Sequence, residues 1–188
     1  EIKDIYVLAF DKESKSYLGE FQSYITNNTL VANVNLTEDE FKELTIVVLT
    51  NLEKLTNGYE IIGQINAFEK GAQSKEEILK SLKYTFNEIW DLNGRPLPMW
   101  GETDITPVRN SIATGEVNLY RAISKINVVV NYGKGRKKDG VEVFKLKSVR
   151  VYYARTSGLV GSLYAPQHNE EGSNTTTNPS IPEDVSYF

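Results

Sequence analysis

Apolar and polar positions alternate with a period of two along most of the chain, and a helical period stands out in one stretch only. In residues 2–10, Ile5, Val7 and Ala9 share one face while Tyr6, Leu8 and Phe10 share the other. Apolar character on both faces predicts a central strand, or one covered on both sides. The polar residues 11–16 predict a turn into residues 17–25, the second arm of a hairpin. Leu30, Ala32, Val34 and Leu36 alternate with Asn33 and Asn35, the pattern of a half-buried strand. The short apolar run 45–49 between polar flanks predicts another.

The helical stretch opens with Ser74-Lys75-Glu76-Glu77, a capping box in which Ser74 accepts from the amide of Glu77 while the Glu77 carboxylate reaches back. Ile78, Leu82, Phe86 and Ile89 then fall near one face, so a single main helix is expected over about residues 75–88, docked on a sheet. Residues 116–132 are β-rich, but the parity of their apolar positions breaks near Arg121–Lys125, which predicts a bulge or bend. A basic, glycine-rich loop at 133–140 leads into a further β-rich run at 141–154, together an antiparallel hairpin. The expected fold is therefore mainly β, an antiparallel β-sandwich with one main helix.

Composition narrows the functions available. A net charge of −4 makes the chain a poor electrostatic partner for phosphate backbones, so nucleic acid is not an expected ligand. The longest apolar runs are far shorter than the roughly 20 residues of a membrane helix. Without cysteine there are no disulfides, thiolate metal sites or cysteine nucleophiles. A single histidine, His168, lies in a Pro/Asn-rich tail, which leaves the commonest hydrolytic and metal chemistries without a positioned imidazole. No enzymatic activity, cofactor or metal is expected, and the balance favours a structural or binding protein. Residues 1–165 read as one domain and 166–188 as an extended linker toward a further domain, in a chain that is a piece of a longer protein.

Few segments carry candidate chemistry. Gly133-Lys134-Gly135-Arg136 lacks the spacing of a phosphate loop and reads as a solvated hairpin tip. Its charges Lys134, Arg136, Lys137 and Lys138 offer a surface contact to an acidic partner, a glycan or a lipid headgroup. Glu38-Asp39-Glu40 after Thr37 reads as a short helix N-terminus, where acids are favoured. The run 95–102, with prolines at 96 and 98, reads as an extended connector. Met99 or Trp100 would plug the edge of the core, or Trp100 would stand exposed as an aromatic contact. Asn27, Asn35 and Asn174 lie in glycosylation sequons, relevant only to a eukaryotic secretory route.

Taken in order, several of these segments resemble the N-terminal domain of the Bacteroidales fimbrillins, the major and minor fimbrial subunits and their relatives. Residues 5–11 (IYVLAFD) are similar to that family's opening strand, and residues 45–51 (TIVVLTN) to its strand ending in Asn. Leu97-Pro98-Met99-Trp100-Gly101-Glu102 resembles its PMxG signature. Residues 119–126 (LYRAISKI) resemble its L-x-R-A-x-[AS]-K-[IV] strand, and residues 148–153 (SVRVYY) the strand after it. The resemblance implies a transthyretin-like sandwich and a subunit of a cell-surface fimbria. It also implies export as a lipoprotein to the outer membrane, proteolytic trimming, and assembly with other subunits by donation of a β-strand. Pro98, Met99, Gly101, Arg121 and Lys125 are then family-signature residues with a structural role. The alternative is a carbohydrate-binding β-sandwich that uses Trp100 and tyrosines as stacking platforms.

Overall fold

A computed structural model describes residues 2–27, 29–33, 36–85, 96–108, 112–122, 137–138, 141–142, 148–149 and 157–163. The fold is mainly antiparallel β. Its centre is a six-stranded sheet in the order β3-β2-β1-β4-β6-β7, with β1 at Ile5–Asp11, β2 at Tyr17–Thr26, β3 at Thr29–Asn33, β4 at Leu44–Thr50, β6 at Met99–Ile105 and β7 at Tyr120–Arg121. Two short ladders accompany it. In one, β5 (Lys83–Thr85) pairs with β10 (Ser157–Leu159); in the other, β8 (Lys137–Lys138) pairs with β9 (Val141–Glu142).

The two-faced pattern of β1 has the meaning expected of it. The strand lies between β2 and β4, and each of its faces is packed. On one side Leu8 and Phe10 join Val47, Leu49 and Trp100 beneath two helices, α1 (Gly58–Ala67) and α2 (Lys75–Ser81). On the other, Val7 and Ala9 join Phe21, Leu44, Ile46 and Val48. All seven residues of β4 are buried, as befits a strand paired on both edges and covered on both faces.

Helix α2 begins as its capping box dictates, with the Ser74 hydroxyl accepting from Glu77 N and the Glu77 carboxylate accepting from Ser74 N at 2.8 Å. It is shorter than expected. The helix ends at Ser81, Leu82 leaves the helical region, and Lys83–Thr85 become β5, so the predicted reach to about residue 88 is not observed over 83–85. Residues 86–88 lie outside the described residues. The physical reason is tertiary: Leu82 is fully buried and its carbonyl accepts from Val160 N, which draws the chain into pairing with β10.

Helix α1 was not expected from the sequence. Its buried Ile61 and Ile65 are spaced as one turn requires, but two glycines and adjacent Ile residues weaken the helical signal. Asn57, which precedes it, does not cap it. The Asn57 amide instead donates to Lys83 O and accepts from Thr85 N, fastening β5 beside the helix.

The segment expected as a connector is also different. Met99–Ile105 is an interior strand, paired over seven residues with β4 and at its start with β7. Its alternation is masked because Glu102 and Asp104 are polar, yet both are partnered. Lys75 bonds Glu102 at 2.8 Å, and Thr45 and Lys12 bond Asp104 at 2.7 and 3.0 Å. Glu38–Glu40 form the short helical turn foreseen, with Thr37 N donating to Glu40 at 2.8 Å. Residues 112–119 are irregular and not the start of a long strand.

A fork in the sheet and the family signature

Two places draw together the residues singled out in the sequence or left over by the fold. One is the far edge of the sheet. There Met99 pairs with Arg121, Trp100 with Tyr120, and Ala122 N donates to Pro98 O at 2.9 Å, so three signature residues, Pro98, Met99 and Arg121, meet along one short ladder. Gly101, opposite Val48, has no room for a side chain: a Cβ would collide with the carbonyl oxygen of Asn118. The signature thus closes an edge by backbone contact. Lys125, Lys134 and Arg136 lie outside the described residues; Lys137 and Lys138 form the backbone of β8.

Trp100 does not stand exposed. It is 7% accessible, packed in the helix-side core with its ring centroid 6.1 Å from that of Tyr120. Burial against Leu49, its cross-strand partner, removes the platform on which the glycan alternative relied. Of the sequons, Asn27 sits at the exposed β2–β3 turn with a positive φ of 49°, while Asn35 and Asn174 lie outside the described residues.

The second place escaped the sequence reading. The ladder between β1 and β2 runs from Phe10–Tyr17 to Val7–Phe21 and goes no further. Beyond that pair the two arms separate. Residues 22–26 of β2 pair with β3, while Ile5 and Tyr6 pair with Thr50 and Leu49 of β4. Between the arms opens a cleft of about 460 Å³, lined by residues 2–6 on one side and Ser23, Tyr24 and Ile25 on the other. Tyr24 and Ile25 are 53% and 46% exposed, large apolar groups in a strand that otherwise obeys the burial rule.

The N-terminal arm is held rigidly on its β4 side. Asn51, fully buried with φ 61°, accepts from Lys3 N at 2.8 Å and donates to Leu97 O at 2.7 Å, while its own N–H donates to Asp4 O. Asp4 in turn accepts from Leu52 N at 2.7 Å. One Asn therefore ties three segments, tolerating a left-handed backbone that few other side chains accept.

Charges of both signs, Lys3 and Asp4, line the fork, and Glu20 and Glu53 act on Tyr6 from outside the lining. Strand alternation puts Asp4 and Tyr6 on the helix side with Glu20, the partner of Leu8, and puts Ile5, Ser23 and Ile25 on the opposite side. Burial, assisted by the charges of Asp4, Glu53 and Glu20, pushes the Tyr6 phenol up to about 12. Burial also raises the carboxyl groups of Asp4 and Glu20 above their ordinary values. The second carboxylate oxygen of Asp4, Oδ2, is buried and has no hydrogen-bond partner.

A family model described as fimbrillin-A associated anchor proteins Mfa1 and Mfa2 matches residues 1–184. The chain belongs to this family. It is a Bacteroidales fimbrillin family, and its members are structural subunits of fimbriae that assemble with other fimbrial subunits at the cell surface. No curated protein matches the chain. Among the described residues no helix is long and apolar enough to cross a membrane. Membership in the fimbrillin-A associated family gives the opening strand, the strand ending in Asn51 and the Pro98–Gly101 signature a common setting. They form the β1–β4–β6 centre of the sheet and the contacts that fix its two ends.

Proposed function

We propose that this protein is a structural or anchoring subunit of a bacterial fimbria that assembles by accepting a β-strand from a neighbouring subunit into the fork between residues 2–6 and 22–26. The observation that carries this reading is the interrupted β1–β2 ladder. Two strand arms diverge around an open cleft, and apolar groups of both line it. Backbone edges without a ladder partner are templates for an added strand, with main-chain bonds supplying affinity and alternate side chains supplying register. The arms are antiparallel, so an inserted strand runs parallel to one and antiparallel to the other.

Export as a lipoprotein, attachment to the outer membrane and trimming by a protease complete the proposal. So does a domain beyond residue 165 joined through 166–188. Trimming fits an acceptor that is closed until a covering segment is cut away. The test is backbone hydrogen exchange of this chain with and without a polymerising fimbrial subunit. The expected result is slowed exchange concentrated at residues 4–6 and 22–26. Unchanged exchange there, with protection at the β6–β7 edge instead, would move the assembly surface and overturn the fork as acceptor.

A further inference from the structure

The fork is better built to sort its occupants by shape than by charge. Lys3 and Asp4 line it, one of each sign, and together they favour neither a cationic nor an anionic partner. The register of the closed ladder, Val7 with Phe21 and Leu8 with Glu20, continued along the open arms sets Ile5 across from Ser23 and Lys3 across from Ile25. A strand laid between the arms therefore sends one side chain between Ile5 and Ser23, and its two neighbours to the opposite face. At that position Ser23 pairs with Ala32, both small and both half-buried. Phe21, Ile5 and the Ile25–Leu30 pair stand around them on the same face. The result is a hollow with a small-residue floor and an apolar rim. Ile25, 46% exposed, is the part of the rim left uncovered. The helix-side face has no such hollow, because Tyr6, Gln22 and Tyr24 present large side chains with polar tips there.

Resting on the reading of the fork as a strand acceptor, we infer that the accepted strand is uncharged where it enters the fork and carries one large aliphatic residue, leucine or isoleucine, that fills the hollow over Ser23 and Ala32. Small or hydroxyl-bearing residues flank it, facing Tyr6 and Tyr24. Ser23 and Ala32 set the specificity, since their small size leaves the space that the incoming side chain must occupy. A small residue there forfeits the contacts of the rim, and a charged one gives up hydration for an apolar wall. One position thus separates right from wrong partners.

The experiment titrates the whole chain by calorimetry with seven-residue peptides of alternating serine and threonine whose central residue is leucine, alanine, lysine or glutamate. The leucine peptide is expected to bind about tenfold more tightly than the alanine peptide, the margin that leucine's extra carbons give in a partly covered site. The lysine and glutamate peptides should bind no better than alanine. Ser23→Leu and Ala32→Leu, which fill the hollow from within, should each remove most of the leucine-to-alanine margin while the circular dichroism stays that of the parent. Tyr24→Ser, on the other face, should weaken all the peptides and leave the margin as it was. Equal affinity for leucine and alanine overturns the size selection and leaves strand acceptance standing. Lysine or glutamate ahead of leucine hands the selection to Asp4 or Lys3 and overturns it as well. Failure of every peptide to bind overturns strand acceptance at the fork itself. A margin untouched by both Ser23→Leu and Ala32→Leu places the anchor elsewhere and sinks the assignment to the hollow.

Discussion

β1 is flanked by an aspartate at each end, and the two behave in opposite ways. Asp11, at the closed end, accepts from the backbone N–H and the hydroxyl of Ser14 at 2.7 and 2.8 Å, which hold its carboxyl below the ordinary range. Asp4, at the open end, is raised by burial although Leu52 N bonds one of its oxygens. Between them the strand passes from pairing on both sides at Val7–Phe10 to pairing with β4 alone at Ile5 and Tyr6. The same alternating sequence is a finished core element at one end and an incomplete one at the other. The difference lies in where β2 goes.

The largest expected effect comes from testing the two ends as core. Leu8→Ala, at a fully buried position, should cost about 2–5 kcal/mol, and Ile5→Ala, in the half-buried arm, less than half as much. Equal losses in chemical denaturation would mean that the open arm is packed as tightly as the closed one, and the contrast would collapse.

Next is the anchor of the open arm. Asn51→Ala removes the bonds to Lys3 N and Leu97 O and places a Cβ-bearing residue without local compensation at φ 61°. At about 1 kcal/mol for each bond and about 1 for the backbone, a loss of roughly 3 kcal/mol is expected. Asn51→Gly should recover only the backbone share. If both variants lose the same amount, the positive φ contributes nothing.

Acid should then divide the two ends by sign. The folded-state pKa of Asp11 is lowered, so its contribution is present above the ordinary carboxyl value and lost as pH falls through the lowered one. That of Asp4 is raised, so its ionised form costs stability above the raised value, and the cost is relieved as pH falls through it. Asp11→Asn should therefore destabilise the protein at neutral pH, whereas Asp4→Asn should stabilise it or leave it unchanged. Carboxyl NMR titration checks the order directly, Asp11 titrating below Asp4. The smallest effect is expected at Tyr24→Ser, within about 0.5 kcal/mol in stability because the ring is 53% exposed, with weakened uptake of an added strand as its only sizeable consequence.

Local signals were legible and pairing was not. The Ser74–Glu77 box, the two-faced β1 and the acidic turn at Glu38–Glu40 are written within a few residues each, and the structure reproduces them. What the alternation of β6 hides, and what ends α2 at Ser81, are contacts with distant partners: Lys75 and Lys12 on β6, Val160 on Leu82. Trp100 followed the same rule, since a residue shortly after two closely spaced prolines looks like a loop until β4 is seen beside it. The fork left only a faint trace. Residues 22–25 read Gln-Ser-Tyr-Ile without alternation, and only the three-dimensional path of β2 separates them from β1. The signal that existed was the exposure-prone pair Tyr24-Ile25, two large apolar residues in succession close to a turn.

The seven-pair ladder between β1 and β4 has a mechanical consequence. A pull applied at the N-terminal end of β1 runs along the strand axis, so the β1–β4 bonds from Ile5–Thr50 to Asp11–Leu44 are strained together and not one after another. The β2–β3 hairpin at the edge, peeled outward from its turn, would instead give way bond by bond. Tension along its first strand is therefore shared by the whole ladder at once, a useful property in a subunit of a filament that is tugged from outside the cell.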